Sequence, residues 1–203
     1  MFHHLPPSTP SAIRVSRAEP DRPGSAPARR ASTIAGVSLA IFAVGALLAA
    51  GAGAAYDDGA GQAVTVTENV SVAALPAKTW DRIQDFMAWP AWHPAFASTQ
   101  LVRGDGKSRG SIRLLTAKDG AQFTEELLTH DAATRTVEYR ILNSPAPVSG
   151  YVSKLQVKET GAGSSVVWSS SFKVKPGTSD ADARKAIAGI YRLGLDNLAG
   201  LLR

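Results

Sequence analysis

The chain has 203 residues, of which 44% are hydrophobic and 19% are charged, a length that suits one domain with an appendage. It contains no cysteine, which excludes disulfides, thiolate catalysis and zinc or iron–sulfur sites built on cysteine. The net charge of +5 does not predict a nucleic-acid partner, because residues 1 to 55 carry five arginines against two acidic residues and the remainder is nearly balanced, with 17 basic and 15 acidic residues.

Residues 1 to 30 are rich in proline, serine, alanine and arginine and show no hydrophobic period. A segment with so few large apolar groups buries too little surface to offset the entropy that is lost on ordering. We therefore expect this N-terminal segment to be disordered.

An uncharged segment follows from Ala31 to Tyr56, between Arg29-Arg30 and Asp57-Asp58. A basic flank, an apolar run and small residues at its end predict a bacterial signal peptide cleaved near Ala54 or Ala55. The alternative is a retained transmembrane helix, because a membrane span needs about 20 apolar residues. Either way residue 57 onward lies outside the cytoplasmic membrane, so we expect a periplasmic protein that touches the membrane only through residues 31–56, if these are uncleaved.

Residues 63 to 203 are predicted to form the domain, which begins with a strand and a helix. "AVTVTENVSVA" alternates in the manner of a strand. "LPAKTWDRIQDF" predicts a helix with a proline in its first turn and one apolar face, made of Trp80, Ile83, Phe86 and Met87. The next stretch, "DFMAWPAWHP", holds two tryptophans and a histidine beside prolines that prevent a regular helix or strand.

Six strand-like runs separated by turn residues come next: "FASTQLVR", "GSIRLLTA", "AQFTEELLTH", "RTVEYRIL", "GYVSKLQVKE" and "SSVVWSSSFKV". In the last run, alternation places five residues on one face: Val166, Trp168, Ser170, Phe172 and Val174. In the run before it, Tyr151, Ser153, Leu155 and Val157 share a face. These patterns predict half-buried antiparallel strands.

A long helix is predicted at the C-terminus. Ser179 and Asp182 have the spacing of a capping box. The apolar stripe of this helix comprises Ile187, Ile190, Tyr191, Gly194, Leu198 and Leu201. Glycine costs about 1 kcal/mol relative to alanine inside a helix, so Gly194 either allows close packing against an aromatic residue or leaves room for a ligand.

This order of elements predicts an α+β fold, in which about seven antiparallel strands bury one face against the C-terminal helix and leave a space between them. The stretches "VSVAALPAKTWDRIQDF", "WPAWHPAF", "GSIRLLTAKDG" and "IYRLGLDNLAGLL" resemble the START, polyketide-cyclase and pollen-allergen superfamily (SRPBCC) over roughly residues 64 to 202. The resemblance implies a helix-grip fold, with a curved sheet around the C-terminal helix and a cavity beneath the sheet.

A narrower resemblance is carried by "WHP", "LTAKDG", "EELLTHD", "YRILNSPAPVSGY" and "IYRLGLDNL". These stretches are similar to a small exported subgroup that includes accessory proteins of bacterial periplasmic methanol dehydrogenase. This resemblance implies that a periplasmic dehydrogenase or its cytochrome is a candidate partner.

The superfamily resemblance implies that the aromatic stretch, "DFMAWPAWHP", forms one wall of the cavity. The candidate ligand-binding residues are Trp89, Trp92, His93, Glu125, Tyr139, Tyr151, Trp168, Phe172, Tyr191 and Gly194. The two tryptophans of the stretch either plug the end of the fold or contact the ligand. For His93, the sequence shows no partner that would set the tautomer of a general base, which favours a structural hydrogen bond or a position at the rim.

Glu125 and Glu126 are adjacent in a predicted strand, so they point to opposite faces. One of them is expected outside, and the other is expected to enter the cavity beside Tyr139 and Tyr151, where burial would raise its pKa.

Three classes of function follow. The first is a binding protein for a small apolar or amphipathic molecule, and the second is the accessory protein of a dehydrogenase. The third, a polyketide cyclase or dehydratase-type enzyme, rests on analogy of fold, because the chain has no GxSxG, P-loop or GxGxxG motif. We expect a non-enzymatic protein without catalytic residues, metal or cofactor.

Overall fold

The computed structural model describes residues 62–203. The predictions for residues 1–30 and 31–56 lie outside this part of the chain. Within residues 62–203, neither helix is long and apolar enough to cross a membrane. The elements in chain order are β1 Val64–Val72, α1 Pro76–Ile83, β2 Phe96–Arg103, β3 Ile112–Ala117, β4 Gln122–Asp131, β5 Thr136–Asn143, β6 Val148–Thr160, β7 Gly163–Val174 and α2 Asp180–Leu201.

The seven strands form one antiparallel sheet in the order β1-β7-β6-β5-β4-β3-β2. The sheet curves around α2, which confirms the predicted helix-grip fold. The predicted inner faces of β6 and β7 are buried, apart from Val174, which is half-buried. Together with the apolar stripe of α2 they form the hydrophobic core, which therefore lies between the sheet and this helix.

Helix α2 begins where the capping box predicts. Ser179 is the N-cap, and its Oγ accepts a hydrogen bond from the Asp182 amide at 3.1 Å. The stripe is buried or half-buried from Ile187 to Leu198. The prediction was wrong for the last member of the stripe, because Leu201 is exposed and Leu202 is buried instead. Leu201 is the final helical residue and Leu202 already has non-helical backbone, so the helical period no longer decides which side chain faces the core there.

Helix α1 is shorter than predicted. It ends at Ile83 rather than continuing through Phe86. Beyond that point the Asp85 carboxylate accepts a hydrogen bond from the Met87 amide at 2.8 Å, a local turn that competes with the helix. Phe86 is nevertheless buried in the core, and Met87 is half-buried against it. The chain then makes a single 3₁₀ turn, Trp89–Ala91, which carries the aromatic stretch.

Candidate ligand-binding cavity

A cavity lies between the concave face of the sheet and α2. Its volume is about 40 Å³, enough for a few water molecules but below the roughly 300–1,000 Å³ of typical ligand pockets. Six of the ten predicted residues line it: Trp89, Glu125, Tyr139, Tyr151, Trp168 and Tyr191. The walls are largely aromatic and are completed by aliphatic side chains, among them Ile187 and Ile190 of α2.

The two tryptophans of the 3₁₀ turn have different positions. Trp89 lines the cavity, and its ring meets those of Tyr139 and Trp168 edge-on, both at 5.2 Å between centroids. Trp92 is 1% exposed and contacts Trp89 and Trp168 from outside the cavity lining, at 5.4 and 5.9 Å between ring centroids. Trp89 is therefore a wall residue, and Trp92 is the plug behind it.

His93 is fully buried, with 0% of its surface exposed. Its Nε2 is 3.0 Å from the Ile190 carbonyl of α2, and its Nδ1 accepts a hydrogen bond from the Ala95 amide at 3.3 Å. Because a carbonyl only accepts, the proton of the neutral ring lies on Nε2. Burial lowers the pKa of His93 to about 4. The sequence favoured either a structural hydrogen bond or a position at the rim for His93. The structure shows the hydrogen bond, and the buried ring does not lie at the rim of the cavity.

This geometry predicts a pH-dependent stability. The folded state keeps His93 neutral down to about pH 4, whereas the unfolded chain takes up the proton near pH 6.5. The unfolded state therefore binds more protons in that window, and the free energy of unfolding should fall by up to about 3 kcal/mol as the pH drops through it. Urea unfolding of wild type and His93→Gln at several pH values measures this contribution, which the variant should lack.

The control for that experiment is the same substitution at an exposed histidine, His130→Gln, whose ring contacts that of Trp80. This variant should keep the wild-type pH profile. Parallel pH profiles for wild type and His93→Gln would contradict the assignment.

Gly194 explains how the His93 ring fits beneath α2. A Cβ at position 194 would overlap the ring and lie 2.6 Å from Nε2. The glycine therefore permits close packing against an aromatic ring, the first of its two predicted roles, and it is not part of the cavity wall.

We expect Gly194→Ala to lower the free energy of unfolding by about 1–3 kcal/mol, because the ring is held by two hydrogen bonds and cannot shift freely. Gly189→Ala is the matched control, since a Cβ there meets no atom within 4 Å. It should stabilise α2 by up to about 1 kcal/mol through helix propensity. Thermal unfolding separates the two, and equal effects of both substitutions would count against the steric account.

The most unusual polar feature of the core is a buried ion pair between Arg113 and Glu125, whose arginine the sequence patterns did not predict. Arg113 is 0% exposed, and its Nε and Nη2 donate to Glu125 Oε2 at 2.8 and 2.6 Å. Its Nη1 donates to the Phe86 carbonyl. Burial raises the pKa of Glu125, and the adjacent guanidinium opposes that rise. Glu126 points outward to Arg140, with 2.6 Å between Nη2 and Oε2.

Two signals in the sequence could have revealed this pair. Arg113 shares the parity of Leu115 and Ala117, the buried residues of β3. It also lies directly opposite Glu125 in the register of β3 and β4. A charged residue on a buried face requires a partner of opposite charge, and the facing position of the neighbouring strand is the first place to look.

A network of hydroxyl groups forms the second polar part of the cavity region. Trp168 Nε1 donates to Ser153 Oγ at 2.9 Å and to the Tyr139 hydroxyl at 3.2 Å. The Tyr191 hydroxyl is 3.2 Å from Ser153 Oγ and is also hydrogen-bonded to the Tyr151 hydroxyl. Burial raises the pKa of all three tyrosines, so they are neutral phenols. The Tyr151–Tyr191 bond ties the sheet to α2.

Phe172 lies outside the lining and stacks on Tyr151, with 6.0 Å between ring centroids. Of the ten predicted residues, it shares this supporting position with Trp92, His93 and Gly194. The structure thus brings all ten into one region, with six in the wall of the cavity and four behind it.

The sheet divides near the cavity. The last pair between β5 and β6 is Arg140–Val152. Beyond it Ile141 pairs with β4, whereas Val148 pairs with β7. A groove occupies this fork and shares Ile141 and Tyr151 with the lining of the cavity. The groove therefore adjoins the cavity at Ile141 and Tyr151.

The two titratable groups His93 and Glu125 have separate partners. His93 is bonded to a backbone carbonyl and Glu125 to an arginine, so the two titratable groups are not paired with each other. Within residues 62–203, no three side chains of metal-ligating type come together.

Comparisons with known proteins agree with this architecture. The family model described as polyketide cyclase / dehydrase and lipid transport matches residues 63–203. The protein XoxI from Bacillus cereus is 31% identical, with a TM-score of 0.63 over 68% of this chain and 95% of its own. A protein from Bacillus thuringiensis is 29% identical, with a TM-score of 0.61 over 70% and 98% of the two chains. Ara h 8.0201, at 19% identity and a TM-score of 0.59 over 70% and 98%, shares the fold. A comparison with curated proteins gives no match.

A seven-stranded sheet that grips one long helix over an aromatic cavity defines a helix-grip protein of the START and pollen-allergen type. The chain belongs to the polyketide cyclase/dehydrase and lipid transport family and, within it, to the XoxI-like subgroup.

Proposed function

We propose that this protein binds a small apolar or amphipathic molecule in the cavity between the sheet and α2, without transforming it. The observation that carries the proposal is the lining itself: aromatic and aliphatic walls with a few polar groups, Glu125 and the phenols, at defined positions. Such a mixture is typical of ligand sites, whereas a core that serves stability alone gains little from a buried carboxylate.

Binding requires the cavity to widen, because a volume of about 40 Å³ holds only a few waters. The contact that opposes widening is the hydrogen bond between Tyr151 on β6 and Tyr191 on α2. The fork between β5 and β6 adjoins Tyr151, so a ligand that enters there reaches this contact first. Ligand binding is therefore coupled to a small displacement of α2 from the sheet.

The test is a titration of the full-length protein with toluene and 1-octanol, an apolar and an amphipathic probe, followed by tryptophan emission. Trp89→Phe should weaken binding because Trp89 is part of the wall. Trp92→Phe is the matched control, since its ring packs behind the wall, and it should leave the affinity unchanged. Saturable binding with this pattern supports the proposal. No binding of either probe, or equal losses in both variants, would refute it.

We propose that the domain acts in the periplasm. The support is the uncharged segment from Ala31 to Tyr56, with its basic flank and small residues at the end. A fusion of residues 1–60 to a reporter that is active only in the periplasm should be active. An inactive fusion that stays in the cytosol would overturn this location.

The second candidate function is that of an accessory protein to a periplasmic methanol-type dehydrogenase and its cytochrome. It is favoured by 31% identity to XoxI across 95% of that chain, together with the subgroup resemblance. The two functions are compatible. A direct test mixes the purified protein with the dehydrogenase and cytochrome of the same bacterium and measures electron transfer. An unchanged rate, with no co-elution of the proteins, would exclude this role.

A further inference from the structure

We propose that the cavity selects compact, neutral molecules that carry a hydrogen-bond donor, such as phenols and alcohols, and rejects carboxylates. This inference rests on the proposed function, because it concerns which ligand class the same cavity accepts. It follows from the arrangement of the buried ion pair and of the hydroxyl network beside the cavity.

The positive end of the buried ion pair lies away from the cavity. The Arg113 guanidinium lies over the rings of Phe86 and Trp89, at 3.9 and 4.0 Å from their centroids, and donates to the Phe86 carbonyl. Glu125 is part of the cavity lining and Arg113 is not. A ligand therefore meets the carboxylate and has no access to the cation.

The carboxylate is also only half engaged by its partner. Both Arg113 donors, Nε and Nη2, end on the same oxygen of Glu125, Oε2. The second oxygen, Oε1, keeps its lone pairs outside this contact. It is a strong acceptor suited to an O–H or N–H group of a ligand.

Three hydroxyl protons beside the cavity, those of Ser153, Tyr191 and Tyr151, are directed into the protein. Ser153 donates to the Ser169 carbonyl at 2.9 Å, which leaves its oxygen as an acceptor. Tyr191 accordingly donates to Ser153, and Tyr151 donates to Tyr191. These three hydroxyls therefore offer a ligand lone pairs rather than protons.

The aromatic rings add to the same preference, because their faces carry partial negative charge. A bound carboxylate would meet the negative charge of Glu125 and the ring faces, with the Arg113 cation out of reach to offset its loss of water. A neutral donor of the same size meets an acceptor. The polar groups of the cavity thus distinguish ligands by the sign of their polar end.

The experiment compares three probes of similar size by calorimetric titration of the full-length protein at neutral pH: 4-methylphenol, toluene and benzoate. We expect 4-methylphenol to bind at least about tenfold more tightly than toluene, the gain typical of a hydrogen bond to a charged group. Benzoate should bind at least about tenfold more weakly than 4-methylphenol. Equal or tighter binding of benzoate overturns the selectivity and leaves the proposed function intact. If none of the three binds, the proposed function fails, and this inference fails with it.

A double variant assigns the effect to Glu125. In Arg113→Met with Glu125→Gln, both charges are removed together, and the advantage of 4-methylphenol over toluene should shrink to about two- to threefold. Glu126→Gln is the matched control, because this neighbour points outward to Arg140 and should leave both affinities unchanged. An undiminished advantage in the folded double variant would overturn the role of Glu125. If that variant does not fold, the three-probe comparison in the wild type still decides the proposal.

Discussion

Arg113→Met should lower the free energy of unfolding by about 3–5 kcal/mol, one of the two largest effects expected of a single substitution in this domain. The substitution keeps most of the apolar volume but leaves the Glu125 carboxylate buried without its partner. It also removes the donor to the Phe86 carbonyl, which fastens the segment after α1 to β3. Urea unfolding at neutral pH measures the loss.

Two further observations separate this account from a simple packing defect. Without Arg113, burial acts unopposed and raises the pKa of Glu125 further above its ordinary value of 4.5. At a pH between the two pKa values, the folded variant binds a proton that the unfolded chain does not. The stability of the variant relative to wild type should therefore rise as the pH falls from neutral toward 4.5. Arg113→Met combined with Glu125→Leu should recover most of the loss, because a buried pair is often replaced by apolar side chains at little cost. A pH-independent loss that the double variant does not repair would contradict the account.

Trp92→Ala is the second large effect, also a loss of about 3–5 kcal/mol. The ring is almost fully buried and contacts Trp89, His93 and Trp168, so its removal leaves a cavity at the centre of the aromatic cluster. The backbone carbonyl of Trp92 accepts a hydrogen bond from Asn197 of α2 at 2.8 Å, which holds the segment in place and limits its collapse into the void. Thermal unfolding gives the loss directly.

Trp92→Phe is the control for this substitution, because it retains much of the apolar area and should cost clearly less. If Trp92→Ala lost less than about 1 kcal/mol, the segment could collapse freely and would not be the rigid plug described here.

Period and turn chemistry in the sequence were sufficient to predict the strands, the long helix and their α+β packing, and the superfamily resemblance added the helix-grip arrangement. The alternation in "SSVVWSSSFKV" reflects one buried and one outward face, and the structure buries Val166, Trp168 and Phe172 as that pattern requires. The capping box at Ser179 marked the start of α2 for a similar local reason. The errors fall at element ends, where α1 stops at Ile83 and Leu201 faces solvent, because tertiary contacts rather than period decide there.

The site was harder to predict, because its members are set by distances across the fold. The aromatic residues were identifiable from their density and parity, but whether Trp89 or Trp92 forms the wall depends on the 3₁₀ turn between them. Gly194 could not be assigned from sequence, since its neighbour His93 is about 100 positions away and reaches it only when α2 packs. Arg113 was overlooked because a strand arginine is usually exposed.

The central claim, that the cavity beneath the sheet takes up a small amphipathic molecule, is tested most directly by a two-dimensional ¹H–¹⁵N NMR titration with 4-methylphenol. The four tryptophan indole N–H groups serve as reporters. Trp89 and Trp168 line the cavity, whereas Trp80 and Trp92 do not. We predict saturable shifts that are largest for the Trp89 and Trp168 indoles, smaller for Trp92 and smallest for Trp80. Shifts confined to Trp80, or no shift at any of the four, would contradict the account.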